Sequence, residues 1–420
     1  MPENSAAIDR SPFAEEPAPP RRRFLTYENG LLVMLGVTFG IVFIDRNALT
    51  TLMPFIRGEF GLSNTQVGVL AAGLSVTWAI SGYVVGLLSD RVGRRKPFLV
   101  AAVLLFSATT LLSGLAQGFT MLLAARLVMG VAEGPVLPLS QTLLALASSE
   151  HRRGLNAGLM QATLTSLIGH IAAPILLVAV AAEHGWRMAF FVAAIPGLIM
   201  ALVMLRYVRE PVVARPERQR GAVSQWALIR VRNIALCMLI SVCLVSWMVI
   251  AWAFLPLYFT ETRHFSPETM GVLMGSLGLS SAASGLLLPA LSDRIGRKPV
   301  ILFFAAIAVV TPLGVVYGPP GALAIGILML VGWTASGTFP IFMATVPAES
   351  VPATAFGAAI GLVGGMGELI GGFGGPPLAG MLADRYGLEA PFALMAALAI
   401  LATLLAAGLI ETHRPKAAHP

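Results

Sequence analysis

The stretch ARLVMGVAEGPVLP, Ala125–Pro138, read together with FIDRNAL, Phe43–Leu49, decides what kind of chain this is. Both lie deep in long apolar runs, yet between them they hold Arg126, Glu133, Asp45 and Arg46. A charge at such depth costs about 2.5 to 3.5 kcal/mol on insertion scales unless it faces a partner or a watery cavity. Arg126 and Glu133 are seven residues apart, about two helical turns, so they project from nearly one face. That face must look inward. Two basic and two acidic groups on different helices neutralise one another, and a ligand or proton entering the set changes the balance.

The surrounding composition fits such burial. Of 420 residues, 56% are hydrophobic and 12% charged, with mean hydropathy +0.81, more apolar surface than a soluble core needs. Apolar runs of about 20 residues recur along the whole length, the span of a transmembrane helix. Barrel strands would alternate, and these runs are apolar on all sides. The expected fold is all-α, with twelve transmembrane helices: Gly30–Ile56, Thr65–Ser89, Pro97–Ala116, Thr120–Ala145, Arg153–Ala181, Met188–Val208, Arg232–Phe259, Glu268–Leu291, Val300–Val316, Ala322–Ala344, Ala353–Leu382 and Ala390–Ile410.

The formal +7 charge is a matter of topology rather than of nucleic-acid binding. With twelve spans and both termini inside, Arg21–Arg23, Arg91–Lys96, Arg152, Arg153, Arg206–Arg232, Arg294–Lys298, Arg414 and Lys416 all fall in the cytoplasm. Arg57, Arg187, Arg263 and Arg385 fall outside, and Arg46 and Arg126 are left in the membrane. Residues 1–29 read as a disordered cytoplasmic tail without a cleavable leader, 30–208 as a six-helix bundle, 209–231 as a cytoplasmic linker, 232–410 as a second bundle and 411–420 as a tail. Cys237 and Cys243 share one apolar segment, so no disulfide framework is implied.

The two bundles read as a parallel repeat. GLLSDRVGRRK, Gly86–Lys96, returns as PALSDRIGRK, Pro289–Lys298; IGHIAAP, Ile168–Pro174, as IGGFGGP; and GVAEGPVLP, Gly130–Pro138, as GWTASGTFP, at an offset of 202 or 203. Parallel halves place a transporter's site near the midplane at their interface. The same offset carries Asp45, Arg46, Arg126 and Glu133 onto Trp247, Met248, Leu328 and Ala335, so the repeat keeps the scaffold and drops the charges. Proton chemistry is expected in the first half and apolar substrate surface in the second.

The duplicated loop resembles the signature of the major facilitator superfamily between spans two and three. Gly86, Leu88, Ser89, Asp90, Arg91, Gly93, Arg94 and Arg95 fit it, and the second copy departs only at Pro289. The resemblance implies gating roles for Gly86, Asp90, Arg91, Gly93, Arg94, Asp293, Arg294, Gly296 and Arg297, the aspartate docking on a neighbouring helix end and basic partners. ADRYG, Ala383–Gly387, looks like a third copy but falls outside by parity and receives no gating role. FIDRNAL and R-x6-E followed by GP resemble the anion:cation symporter branch. That implies Asp45 and Glu133 as proton-accepting carboxylates, and Arg46 and Arg126 as holders of the substrate carboxylate.

Around this set, Glu368 in MGELIGGFGGPP is a further mid-membrane carboxylate, for proton or ligand contact, and Asn47, Trp247, Trp252 and Trp333 are candidate substrate contacts. SWMVIAWAFLPLYF carries few amide or hydroxyl groups, which favours a more apolar acid, such as an aromatic one, over a polyhydroxylated one. His170, alone in mid-span, reads as hydrogen-bonded structure, and the pairs Gly271/Gly275 and Gly154/Gly158 as close-packing surfaces between the halves. With all five buried charges ionised the set is net minus one and repels an anion, whereas protonating two carboxyls makes it plus one. The expected activity is proton-coupled symport of a small organic anion, such as an aromatic, sugar-derived or monocarboxylic acid, by alternating access across the inner (plasma) membrane. The runner-up is a proton-coupled exporter of lipids or drugs, Spinster-like or multidrug in type. There is no G-x-S-x-G, metal-spaced His/Cys cluster or phosphate loop, so no enzyme, metal or cofactor is expected beyond the coupling protons. The bilayer, the anion and protons are the expected partners of a monomer.

Overall fold

The computed structural model describes residues 26–149, 152–210, 225–352 and 355–413. The tail expected at 1–29, apart from its last residues, most of the linker, Arg21–Arg23, Arg414 and Lys416 lie outside them. Among the described residues twelve helices are long and apolar enough to cross a membrane: Tyr27–Thr51 (span 1), Asn64–Val92 (span 2), Lys96–Gly114 (span 3), Phe119–Ala147 (span 4), Leu155–His184 (span 5), Trp186–Tyr207 (span 6), Arg232–Thr262 (span 7), Pro267–Ile295 (span 8), Arg297–Tyr317 (span 9), Ala322–Glu349 (span 10), Phe356–Tyr386 (span 11) and Ala390–Ala407 (span 12).

Local chemistry sets the ends of these helices. Ser63 and Gln66 form a reciprocal capping box at the start of span 2, and Ser266 accepts the Thr269 N–H at the start of span 8. Gly93 terminates span 2 at φ +72, a left-handed conformation that costs glycine little. Span 1 differs from its expectation at both ends. Thr26 caps it so that it begins at Tyr27, inside the expected tail, and it stops at Thr51 instead of running to Ile56. Pro54 sits in the first turn of a separate helix, Met53–Phe60, where its missing N–H costs nothing.

With an even number of spans, the start of span 1, the end of span 12 and the two SDRxGR loops share one end of the described structure, here the motif end; the opposite is the far end. Buried apolar residues form three clusters. Two belong to the motif end and are separate, one in each half: Leu31 to Val208 and Ile234 to Leu409. The third, with Leu52, Val67, Val178, Phe254, Met274 and Ala379, joins both halves at the far end. Apolar packing between the halves is therefore continuous at the far end and divided at the motif end.

Polar contacts follow the same division. At the far end Asp384 of span 11 accepts Asn64 N–H at 2.8 Å, Thr65 N–H at 2.9 Å and Thr65 Oγ1 at 2.6 Å, capping span 2 of the other half. Arg57 pairs with Glu261 across the halves at 2.9 Å. At the motif end no hydrogen bond or ion pair between the halves occurs among the described residues. Spans 2 and 11, and spans 5 and 8, carry most of the helix contacts between halves, with span 7 adding contacts to spans 1 and 2. Gly68 lies against the Pro376 carbonyl, and Gly271 and Gly275 lie against Pro174 and Ile171, as the small-residue reading expects. Gly158, by contrast, faces open space.

Candidate functional site

Gly130 and Gly134 press span 4 onto span 2, where the Leu74 and Trp78 carbonyls leave no room for a Cβ. Pro135 then interrupts span 4 just after Glu133. This seating turns Arg126 and Glu133 toward span 1, which brings Asp45 and Arg46. Asp45, Glu133 and Arg126 are 1%, 0% and 3% exposed, set where the shared far-end core gives way to the divided motif-end cores.

The four charges lie close enough to act on one another. Asp45 feels Glu133 and Arg126, Glu133 feels Arg46 and Arg126, and Arg126 feels all three others. They are neighbours without being ion-paired in this conformation. Arg126 instead directs Nη1 and Nη2 at the backbone carbonyl of Arg46, at 3.1 and 3.2 Å, with Nη1 also 3.7 Å from Met129 Sδ. Among the described residues no group donates a hydrogen bond to either carboxylate oxygen of Asp45 or of Glu133. The Thr110 hydroxyl lies beside Asp45, but its proton goes to the Phe106 carbonyl at 2.9 Å. A buried carboxylate left without donors is costly.

Arg46 reaches the other half. Its Nη2 is 3.4 Å from Glu368 Oε2, and its guanidinium faces the rings of Phe43 at 5.8 Å and Trp78 at 5.7 Å. Glu368 lies in the π-helical turn Gly367–Gly372 of span 11, and His170 in another, Ser166–Ala172 of span 5. Such turns widen the helix locally and re-aim side chains.

Rings continue the site into the second half. His170 packs between Phe43 (4.8 Å between centroids) and Trp252 (5.5 Å), Trp252 meets Trp333 edge-on at 6.1 Å, and Trp333 lies over Trp247 at 4.6 Å. Trp333 Nε1 donates to Ser281 Oγ at 2.8 Å. The hydrogen-bonded role expected for His170 needs correcting at Nδ1, which is buried and has no hydrogen-bond partner among the described residues; the ring is held by stacking instead. Asn47, a candidate substrate contact, spends its amide on the Gly169 carbonyl at 3.2 Å, tying span 1 to span 5.

The two motif loops are built alike. Asp90 pairs with Arg95 at 2.8 Å, and Asp293 with Arg297, which also reaches Glu349 at 3.0 Å. Each aspartate thus finds its partner in its own loop; Arg91, Arg94 and Arg294 are exposed, and Gly86 faces open space. Sequence reasoning missed the anchors. Glu210 accepts the N–H groups of Arg95 and Lys96 at 2.6 and 2.9 Å, and Glu411 those of Arg297 and Lys298 at 2.9 and 3.0 Å. A carboxylate at a helix N-terminus is the favourable sign there. The signal was present as an acid just beyond span 6 and another just beyond span 12. Asp384, given no gating role from the sequence, bridges the halves at the far end together with the Arg57–Glu261 pair.

Comparison with known proteins agrees with this architecture. The hexuronate transporter of Bacillus subtilis is 29% identical over 409 residues, covering 89% of this chain and 92% of that protein. The 3-(3-hydroxy-phenyl)propionate transporter of Escherichia coli is 30% identical over 394 residues, covering 88% and 93%. A bacterial homolog of the human lysosomal transporter Spinster, solved inward-facing and unoccupied, shares the fold with a TM-score of 0.75 at 18% identity, over 91% of this chain and 96% of that one. The sequence profile described as Major Facilitator Superfamily matches residues 35–374 and 250–420. The duplicated loops, the twelve spans in two halves and this match make the chain a member of the Major Facilitator Superfamily, a membrane transporter and not an enzyme.

Proposed function

We propose that this transporter takes up a small organic anion together with protons, across the inner (plasma) membrane, by rocking one six-helix half against the other. The observation that carries the reading is the set at the apex of the divided cores. Two arginines stand beside two fully buried carboxyl groups that receive no hydrogen bond. Arg46 and Arg126 hold the substrate carboxylate; Asp45 and Glu133 take the coupling protons. A carboxyl that gains a proton there removes a charge that nothing pairs, and the site becomes receptive to an anion. Proton and anion then each favour the other's binding, which is the reciprocity symport requires.

The relatives named for a hexuronate and for a hydroxyphenylpropionate support an acid substrate. The ring series Phe43, His170, Trp252, Trp333 and Trp247 favours the more apolar kind. Two arginines in one set suit an acid better than the lipid or drug of an exporter, and the likeness to the Spinster homolog is one of fold. With basic loops facing the cytoplasm, the divided motif end opens inward and Asp384 with the Arg57–Glu261 pair closes the outer side. The Asp90 and Asp293 loops take over closure when the molecule faces outward.

The test is uptake into proteoliposomes of benzoate, 3-phenylpropionate, galactonate, glucuronate and lactate, with and without an inward proton gradient. At least one acid is expected to accumulate only with the gradient. Equal accumulation without it, or transport of none of the acids, sinks the reading.

A further inference from the structure

Arg46 and Glu368 form the one ion pair among the described residues that joins the halves in mid-membrane; the other inter-half pair, Arg57 with Glu261, lies at the far end. The mid-membrane contact is slight. A guanidinium can give a carboxylate two parallel N–H bonds of about 2.7 to 2.9 Å, and here it gives one, at 3.4 Å. The two side chains are 18% and 17% exposed, whereas Asp45, Glu133 and Arg126 are sealed. Of the five mid-membrane charges, these two are the accessible ones.

The surroundings of Glu368 hold its carboxylate on Arg46. The π-helical turn Gly367–Gly372 sets its direction, and Gly372 clears its place: a Cβ there would stand 3.0 Å from both Glu368 Oε2 and Ser75 Oγ. Gly367 and Gly371 let the same turn lie on Ser241 and the Val242 carbonyl of span 7. On the other side, Phe43 and Trp78 flank the Arg46 guanidinium and leave the Glu368 side as its polar approach.

We infer that Glu368 is a built-in competitor, whose carboxylate occupies the place on Arg46 that the carboxylate of a transported anion takes. The inference rests on Arg46 being an anchor for substrate. The empty carrier is held by the Glu368 contact between span 1 and span 11. An anion able to make the two-bond contact replaces the single one and releases span 11 from span 1. Glu368 thereby sets affinity and selects for charge, since a neutral analogue of the same shape cannot displace it from Arg46.

Binding to the purified full-length protein tests this, read by tryptophan fluorescence with benzoate, 3-phenylpropionate and galactonate, and with benzamide and 3-phenylpropanol as neutral counterparts. Glu368→Gln, which keeps shape and removes charge, is expected to tighten anion binding about three- to tenfold, the range of a modest ion pair, and to leave the neutral compounds unchanged. Glu368→Asp, with a shorter reach, falls between, and serves as the test if the Gln variant does not fold. In an Arg46→Gln background the Glu368→Gln change has no further effect. Anion binding that is unchanged or weaker in Glu368→Gln, while Arg46→Gln abolishes it, overturns the competitor role alone. Undiminished anion binding by Arg46→Gln, or binding of no acid by any form, overturns the anchoring reading and this inference with it.

Discussion

In the first half, interior positions of spans 1 and 4 carry Asp45, Arg46, Arg126 and Glu133, whereas the equivalent places in spans 7 and 10 carry Trp247, Met248, Leu328 and Ala335. The two halves are built by the same rules, down to the paired serine caps of spans 2 and 8 at Ser63 and Ser266. What differs is the filling. The second half closes its interior with the Trp247–Trp333 stack, and the first leaves two carboxyls without hydrogen-bond donors beside two arginines. Apolar packing is often no less stabilising than buried ion pairs, so stability alone does not call for the charges of the first half; on the proposed reading they serve the coupling of proton and anion, and the rings of the second half serve the apolar part of the substrate.

Substitutions that exchange the two kinds of filling should separate the tasks. The largest effect is expected from Arg126→Ala, which strips Asp45 and Glu133 of their nearest buried cation. Loss of one partner from a buried set costs about 3 to 5 kcal/mol, and anion binding should fall at least ~100-fold. Leu328→Ala, at the equivalent place, should spare binding; thermal unfolding with and without an acid substrate checks both. Next comes Trp247→Ala, which opens a cavity beside Trp333 and should cost about 3 to 5 kcal/mol of stability, yet leave the proton dependence of transport in place. If Trp247→Ala abolishes proton dependence, the division between halves is wrong.

A smaller effect is expected at the far end. Asp384→Asn takes the charge from an exposed carboxylate that accepts three hydrogen bonds across the halves, and as the loss of a helix cap should cost about 0.5 to 2 kcal/mol in all. The population with a parted far end should rise, seen as longer distances between spin labels at Gly58→Cys and Glu389→Cys. The smallest concerns the two motif loops. Burial alone would raise the Glu411 pKa, but the N–H groups of His413, Arg297, Lys298 and Thr412 outweigh it and hold it below the ordinary carboxyl range. Its stabilisation is therefore present above the unfolded carboxyl pKa of about 4.3 and is lost as pH falls through the lower folded value. Glu411→Gln should cost about 0.3 to 1 kcal/mol at neutral pH and flatten the melting temperature between pH 5 and 3, relative to the parent, by roughly that amount.

The comparison also separates what the sequence discloses from what it does not. Runs of about 20 apolar residues have one stable solution in a bilayer, so the twelve spans were legible. The break after Thr51 was not, because Met53–Phe60 continues the apolar run and Pro54 is equally at home in a turn or a first helical turn. Asp45, Arg46, Arg126 and Glu133 were legible because charge is expensive at that depth. The grip of Arg126 on the Arg46 carbonyl was not, since a backbone acceptor leaves no mark on composition. Glu368 could be found, but not its pairing with Arg46, which depends on how the halves meet. Asp384 falls outside by topology parity and matches the EHGWR loop by repeat offset, so the sequence assigns it no gating role; that it caps a helix of the other half depends on how the halves meet.

The central claim is that Asp45 and Glu133 carry the protons that make the site receptive to an anion. It is tested most directly by comparing gradient-driven accumulation with counterflow exchange of one acid in proteoliposomes of the parent, Asp45→Asn and Glu133→Gln. The account predicts that both variants keep counterflow and lose accumulation. Accumulation at the parent level in both variants, still dependent on the proton gradient, would contradict it.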